Sequence, residues 1–275
     1  VSRRSQPSPC HAPGRYTAQI YVLLHALLLK GSSQFEFYPV ARTFSWPKIG
    51  KDVPMKLRRV GSEVFGSAVL VMTVVGSGEM ATNLSDDTGV QLLINSLSTA
   101  AILYALITLL ADISGAHFNP LVTLVLAYKR EMKIAETVQF IFAQFLGTLI
   151  GAGLANLVFD LPVFTASTKV RSGSHLFLSE IIATAGLIFI IFAAIDQKRE
   201  KKIPTLVACW IGAAYFFTSS TSFANPAVTF ARGWSDTFAG IAPESIAPFM
   251  AAQLIGAVLG LLISQSLSVK SKGKK

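Results

Sequence analysis

The sequence predicts an all-α polytopic membrane protein, with six transmembrane helices and two re-entrant half-helices arranged as two inverted repeats. Three observations carry this: apolar blocks of membrane length, basic residues confined to alternate loops, and motifs that recur in the same order in both halves. Of the 275 residues, 52% are hydrophobic and only 14% charged. Soluble domains carry roughly 25% charged residues, so a soluble globular enzyme is excluded.

A spanning helix needs about 20 mostly apolar residues to cross a hydrocarbon core about 30 Å thick. Six blocks meet this requirement, approximately 61–80, 91–110, 136–157, 176–195, 205–220 and 247–266. Two further apolar stretches, 118–128 and 223–232, cover only half that depth, the length of a re-entrant segment. Each opens on an Asn-Pro dipeptide.

Basic residues in short loops stay on the cytoplasmic side. In a six-span arrangement Lys56, Arg58, Arg59, Lys129, Arg130, Lys133, Lys198, Arg199, Lys201, Lys202, Lys270, Lys272, Lys274 and Lys275 fall on one side, against Lys169, Arg171 and Arg232 on the other. Both termini are therefore expected in the cytoplasm. The net charge of +9 reports topology, and nucleic acid is not an expected partner. Residues 1–54 mix Pro, Ser, aromatic and charged residues around one short apolar run, 20–29. They read as a disordered or non-native extension, with a regulatory tail as the other reading and Met55 as a candidate start. The channel domain is expected over 55–275. Cys10 and Cys209 are too few for a disulfide framework and have no metal-ligand spacing. No metal or cofactor is expected.

The internal repeat sets the architecture. Ser62-Glu63-Val64 recurs as Ser179-Glu180-Ile181, Asn119-Pro120-Leu121-Val122-Thr123 as Asn225-Pro226-Ala227-Val228-Thr229, and Ala143-Gln144-Phe145-Leu146-Gly147 as Ala252-Gln253-Leu254-Ile255-Gly256. Each unit, about 61–157 and 176–266, holds three spans. An odd number forces the second unit to enter from the opposite side, so corresponding elements face one another at the bilayer midplane. Gly147 with Gly151, and Gly256 with Gly260, have the four-residue spacing that lets helix backbones approach closely in lipid.

Asn is a favoured N-cap and Pro a favoured first helical residue, so Asn119-Pro120 and Asn225-Pro226 start the half-helices. Irregular backbone at this depth is tolerated where it is buried or lines a wet cavity. The small and polar residues at 114–118 and 219–223 suit such a lining. Two helix N-termini meeting at a pore centre oppose cations through their partial positive charge, and Asn amides offer donors to a passing oxygen.

At these residues the chain resembles the aquaporin, or major intrinsic protein, family from about Met55 to Ser266. The resemblance rests on Glu63, Glu180, the His117-Phe118-Asn119-Pro120 loop and Asn225-Pro226-Ala227. It implies the aquaporin fold and a homotetramer with a pore in each subunit. The first motif departs by reading Asn-Pro-Leu, and Leu121 is expected to add bulk at the pore centre beside Asn119, Pro120, Asn225, Pro226 and Ala227. Carried over by distance from the motifs, the family's outer constriction falls on Thr99, Ala213, Ser222 and Val228. Water-selective relatives place an aromatic, a His and an Arg there, so this set resembles a wider, less polar filter. The segment 218–229, with Asp236-Thr237-Phe238-Ala239-Gly240, resembles a bacterial branch associated with arsenite passage.

Arg232 shares a helix face with Val228, one turn away. It either supplies a guanidinium at the outer mouth or pairs with Asp236 to anchor the loop. Glu63 and Glu180, costly inside a membrane, are expected to accept hydrogen bonds from the re-entrant backbone, and His117 to be a satisfied loop residue. The expected function is a passive, ion-excluding channel in the plasma membrane, the inner membrane of a bacterium, for water and small neutral solutes such as glycerol and arsenite. An ion-coupled secondary transporter of a neutral solute is the alternative. A membrane enzyme lacks any metal cluster, activated nucleophile or phosphate loop in the sequence.

Overall fold

The computed structural model describes residues 53–267. The expected extension, except its last two residues, Cys10 and the C-terminal lysines lie outside the described residues. Within them the regular structure is helical: α1 (Met55–Leu84), α2 (Thr88–Ser114), α3 (Pro120–Tyr128), α4 (Ile134–Val158), α5 (Ser174–Asp196), α6 (Ile203–Phe217), α7 (Pro226–Arg232) and α8 (Pro243–Leu267). Of these, α1, α2, α4, α5 and α8 are long and apolar enough to cross a membrane.

The expected fifth span is the exception. Helix α6 has 15 residues, about 22 Å at 1.5 Å per residue, and it is preceded by a 3-10 turn at Glu200–Lys202. It stops at Phe217 because the next residues are Thr218, Ser219, Ser220, Thr221 and Ser222, whose hydroxyls offer the backbone competing partners.

Polarity is distributed inversely to that of a soluble bundle. Large apolar side chains such as Leu97, Leu109, Phe142, Leu254 and Leu262 are exposed, while Ser67, Asn95, Gln144, Gln253 and both intramembrane glutamates are buried. Lipid accepts such a surface at no cost, so the interior is assembled by close packing and hydrogen bonding.

In each repeat the first and third spans pack along one another, α1 on α4 and α5 on α8. A side chain at Gly147 or Gly151 would strike the carbonyl oxygen of Val64 or Ala68, and one at Gly256 or Gly260 that of Ile181 or Ala185. The glycines thus bring two backbones into contact at equivalent crossings. Contacts of α2 with α6 join the two halves.

Gly151→Leu and Gly260→Leu are each expected to lower stability by about 1–3 kcal/mol or more, the usual effect of overpacking a filled contact. Thermal unfolding in detergent measures this, and leucine at the lipid-facing Ala213 serves as the neutral control.

Candidate functional site

The site is built outward from two buried carboxylates. Glu63 on α1 accepts hydrogen bonds from the backbone N–H of His117 (3.0 Å) and Phe118 (2.8 Å), the hydroxyl of Ser114 (2.6 Å) and the amide of Gln144 (2.8 Å). Glu180 on α5 does the same for the N–H of Phe223 (2.9 Å) and Ala224 (3.0 Å) and the amide of Gln253 (2.6 Å). Each Gln amide also donates to a threonine, Thr123 at 2.9 Å and Thr229 at 2.8 Å. Those hydroxyls donate in turn to the carbonyls of Asn119 and Asn225. Gln144, Gln253, Thr123 and Thr229 are thus part of the support. They appear in the repeated motifs, yet spacing alone assigned them no task.

This support holds unusual backbone. Ala116 and Phe118 in one loop, and Thr221, Ser222 and Ala224 in the other, have φ between 46° and 63°. Such left-handed conformations cost about 1 kcal/mol or more each without glycine. Carboxylates fixed against the loop N–H groups offset that strain.

The half-helices begin where the loops end. Asn119 Oδ1 accepts from the N–H of Leu121 at 2.9 Å, and Asn225 Oδ1 from those of Ala227 and Val228 at 3.1 and 3.3 Å. The amide nitrogens cross over: Asn119 Nδ2 donates to the carbonyl of Ala224 at 2.8 Å, and Asn225 Nδ2 to that of Phe118 at 2.7 Å. The two capped helix starts are therefore bound directly to each other's loops.

Beside them lies a cavity of about 630 Å³. Aliphatic side chains from the spans, among them Val74, Leu103, Ile107, Leu187, Ile191 and Ile211, line part of it, and the loops around Asn119 and Asn225 line the rest. Both asparagines reach it. Pro120, Leu121, Pro226 and Ala227 are buried but do not line it. The bulk of Leu121 enters the apolar core and leaves the passage as it is.

Of the four expected constriction residues, Thr99, Ser222 and Val228 line the cavity. Ala213 does not: it is exposed on the outer face of α6. Tyr215 occupies the wall instead, and its hydroxyl shares a hydrogen bond with Thr99 Oγ1 at 3.1 Å. Two residues turn a helix by about 200°, and the irregular chain between Phe217 and Asn225 alters the offset that motif distance assumes. His117 is satisfied, its Nδ1 lying 3.0 Å from Thr123 Oγ1 and its ring packing edge-on to Phe140.

Arg232 forms no ion pair with Asp236. That carboxylate accepts from the N–H and hydroxyl of Thr168 at 2.8 and 3.0 Å, on the connection between α4 and α5. The Arg232 side chain turns inward: Nε donates to the carbonyl of Ala239, and the guanidinium lies 3.4 Å from the Phe223 ring centroid. Arg171, from the same connection, approaches Phe223 at 5.0 Å and donates to the carbonyl of Gly240 at 2.9 Å. Nearby Lys169 donates to the carbonyl of Phe238 at 2.8 Å. Burial, then the charges of Arg171 and Arg232, push the Lys169 ammonium down to about 8.

Residues 51–224 match the family model described as major intrinsic protein. The chain belongs to that family. It is 45% identical over 210 residues to aquaglyceroporin AqpS of Rhizobium meliloti strain 1021, covering 76% of this chain and 90% of that protein. Mouse aquaporin-4 is 27% identical over 234 residues, with 79% of this chain and 71% of that protein covered. Among solved structures, the X-ray structure of the aquaglyceroporin from Plasmodium falciparum superposes with a TM-score of 0.59 at 19% identity, covering 77% of this chain and 96% of that one. Major intrinsic proteins are multi-pass membrane channels and not enzymes, and the aquaporin fold expected from the sequence is the one observed.

Two outcomes follow. Glu180→Ala strands two buried N–H groups and an amide, at about 1–3 kcal/mol for each lost partner. It should abolish recovery of folded protein, or lower its melting temperature far more than Glu180→Gln, as read by thermal unfolding in detergent. Lys169 should titrate near pH 8, as read by NMR of the ¹³C-methylated protein. Its folded value lies below the ordinary 10.5, so between the two the unfolded chain binds more protons and this group's contribution makes stability rise with pH. A midpoint near 10.5 would place the ammonium in bulk solvent.

Proposed function

We propose that this chain is a passive transmembrane pore for water and small uncharged hydroxylated solutes, glycerol-like polyols first and metalloid hydroxides such as arsenite with them, and that it turns back ions and protons. The observation that carries the reading is the reciprocal bonding of Asn119 and Asn225 to opposite loops beside a continuous cavity. Two helix N-termini converge there, and their dipoles disfavour cations. A neutral polyol meets aliphatic wall on its carbon side and polar loops on its hydroxyl side.

Kinship with a protein named an aquaglyceroporin supports the same solute class. So does the small, weakly polar set Thr99, Ser222 and Val228 lining the cavity. Arsenous acid is a neutral trihydroxide at pH 7 and presents hydroxyls much as glycerol does. Glu63 and Glu180 are occupied by loop backbone and glutamine amides, so neither is free to bind a coupling ion. The loop charges favour both termini in the cytoplasm of a plasma membrane, that of a bacterial cell on the resemblance. The exposed aliphatic faces suit lipid and neighbouring subunits of a homotetramer.

Stopped-flow light scattering on proteoliposomes should show water, glycerol and arsenite entry above that of empty vesicles, without any ion gradient. Solute flux that requires a proton or sodium gradient would overturn the reading. Val228→Arg should cut glycerol and arsenite flux by roughly tenfold while water flux changes by less than about twofold, because a guanidinium narrows and polarises the constriction.

A further inference from the structure

We infer that Tyr215 and Arg232 together form the selectivity element of this pore, replacing from new positions the aromatic ring and the guanidinium that Thr99 and Val228 leave out. The inference rests on the pore reading above and names the residues that discriminate within it.

Arg232 is 2% exposed and lines the cavity. Its contacts among the described residues are the Ala239 carbonyl, taken by Nε, and the face of Phe223. Among the described residues the terminal nitrogens have no hydrogen-bond acceptor and no carboxylate lies in ion-pair contact with the guanidinium, Glu180 acting on it only at longer range. A buried guanidinium in that state needs an oxygen, and the cavity can offer one only from water or a solute. Both fixed contacts orient the group. The carbonyl takes the inner N–H, and the ring supports the plane from one side, a favourable site for a cation.

Tyr215 completes the element. It is 3% exposed, it lines the same cavity, and its hydroxyl is held by Thr99 at 3.1 Å. The ring thus comes from the second repeat and lies against the position where the first repeat has only a threonine. Ser222 Oγ, buried without a partner, adds a hydroxyl to the same wall.

Geometry explains the solute class. Arg232 follows Val228 by four residues, about 6 Å along the helix, and its guanidinium is held against Phe223, so Val228 rather than an arginine stands beside Ser222 on the cavity wall. Cations meet the positive charge of Arg232, reinforced by Arg171 at the same Phe223 ring. A neutral polyol can give the same group its oxygens while its carbon face passes Val228 and the Tyr215 ring.

Wild type, Arg232→Gln, Tyr215→Ala and the double variant V228R/R232Q are reconstituted and normalised to folded protein. Glycerol and water entry are read by stopped flow, and proton leak by an entrapped pH dye. Arg232→Gln should raise proton leak and lower the glycerol-to-water ratio, each by roughly tenfold, the rate equivalent of about 1.4 kcal/mol in barrier. V228R/R232Q should restore exclusion yet keep glycerol slow, a rescue that a loop anchor cannot give. Tyr215→Ala should raise the entry of erythritol and ribitol relative to glycerol. An Arg232→Gln channel with unchanged leak and unchanged ratio overturns the inference, even where less folded protein is recovered. If that variant does not fold, an unchanged size limit in Tyr215→Ala overturns it alone. A wild type that conducts neither water nor glycerol would instead overturn the pore reading.

Discussion

The exchange of amide hydrogen bonds between Asn119 and Asn225 is the constraint on which the rest depends. Each asparagine uses its oxygen to cap its own half-helix and its nitrogen to hold the carbonyl of the other loop. Neither half-helix can shift without losing a cap or a crosslink. The pair thereby fixes the depth of both re-entrant segments and the position of the cavity beside them.

That junction persists only because strained loops are fastened from behind. Glu63 and Glu180 are fully buried, and a buried charge is tolerated when hydrogen bonds surround it. Here the donors are loop N–H groups that would otherwise be orphans, so two costly features cancel within each repeat. The same occupancy separates a passive pore from an ion-coupled carrier. A coupling carboxylate must release its partners to take a cation, and releasing these would undo the left-handed turns at Ala116, Phe118, Ser222 and Ala224.

Much of this was legible in the sequence, and the residues show why. Span positions follow from apolar length, half-helix starts from Asn-Pro, and the inversion from an odd number of spans per repeat. Glu63 and Glu180 announce themselves because charge at that depth demands partners. What the sequence concealed depends on rotation about a helix axis and on irregular chain. Ala213 sits twelve residues before Asn225, yet it faces outward, since the helix ends at Phe217 and the seven residues between carry three positive φ values. Tyr215, two residues on, takes the wall. The direction of Arg232 depends on Phe223 and Ala239, whose approach no local pattern encodes.

The two repeats agree where the scaffold requires it and diverge where solute passes. Glutamate, glutamine, threonine and glycine recur in register and make matching contacts in both halves, apart from the hydrogen bond that Glu63 alone accepts from the Ser114 hydroxyl. Even the aromatic packing is repeated, His117 edge-on to Phe140 at 5.3 Å and Phe223 edge-on to Phe249 at 5.2 Å. Divergence begins at the ring faces. His117 turns its nitrogen to Thr123 and is consumed locally, whereas Phe223 has no polar atom and offers its face to Arg232 and Arg171. The matched rings thus differ in their surroundings, Phe223 being approached by two guanidinium groups, while the shared framework stays unchanged. An inverted duplication supplies the shared framework, and the halves differ in side chains that line the cavity, such as Thr99, Tyr215 and Arg232.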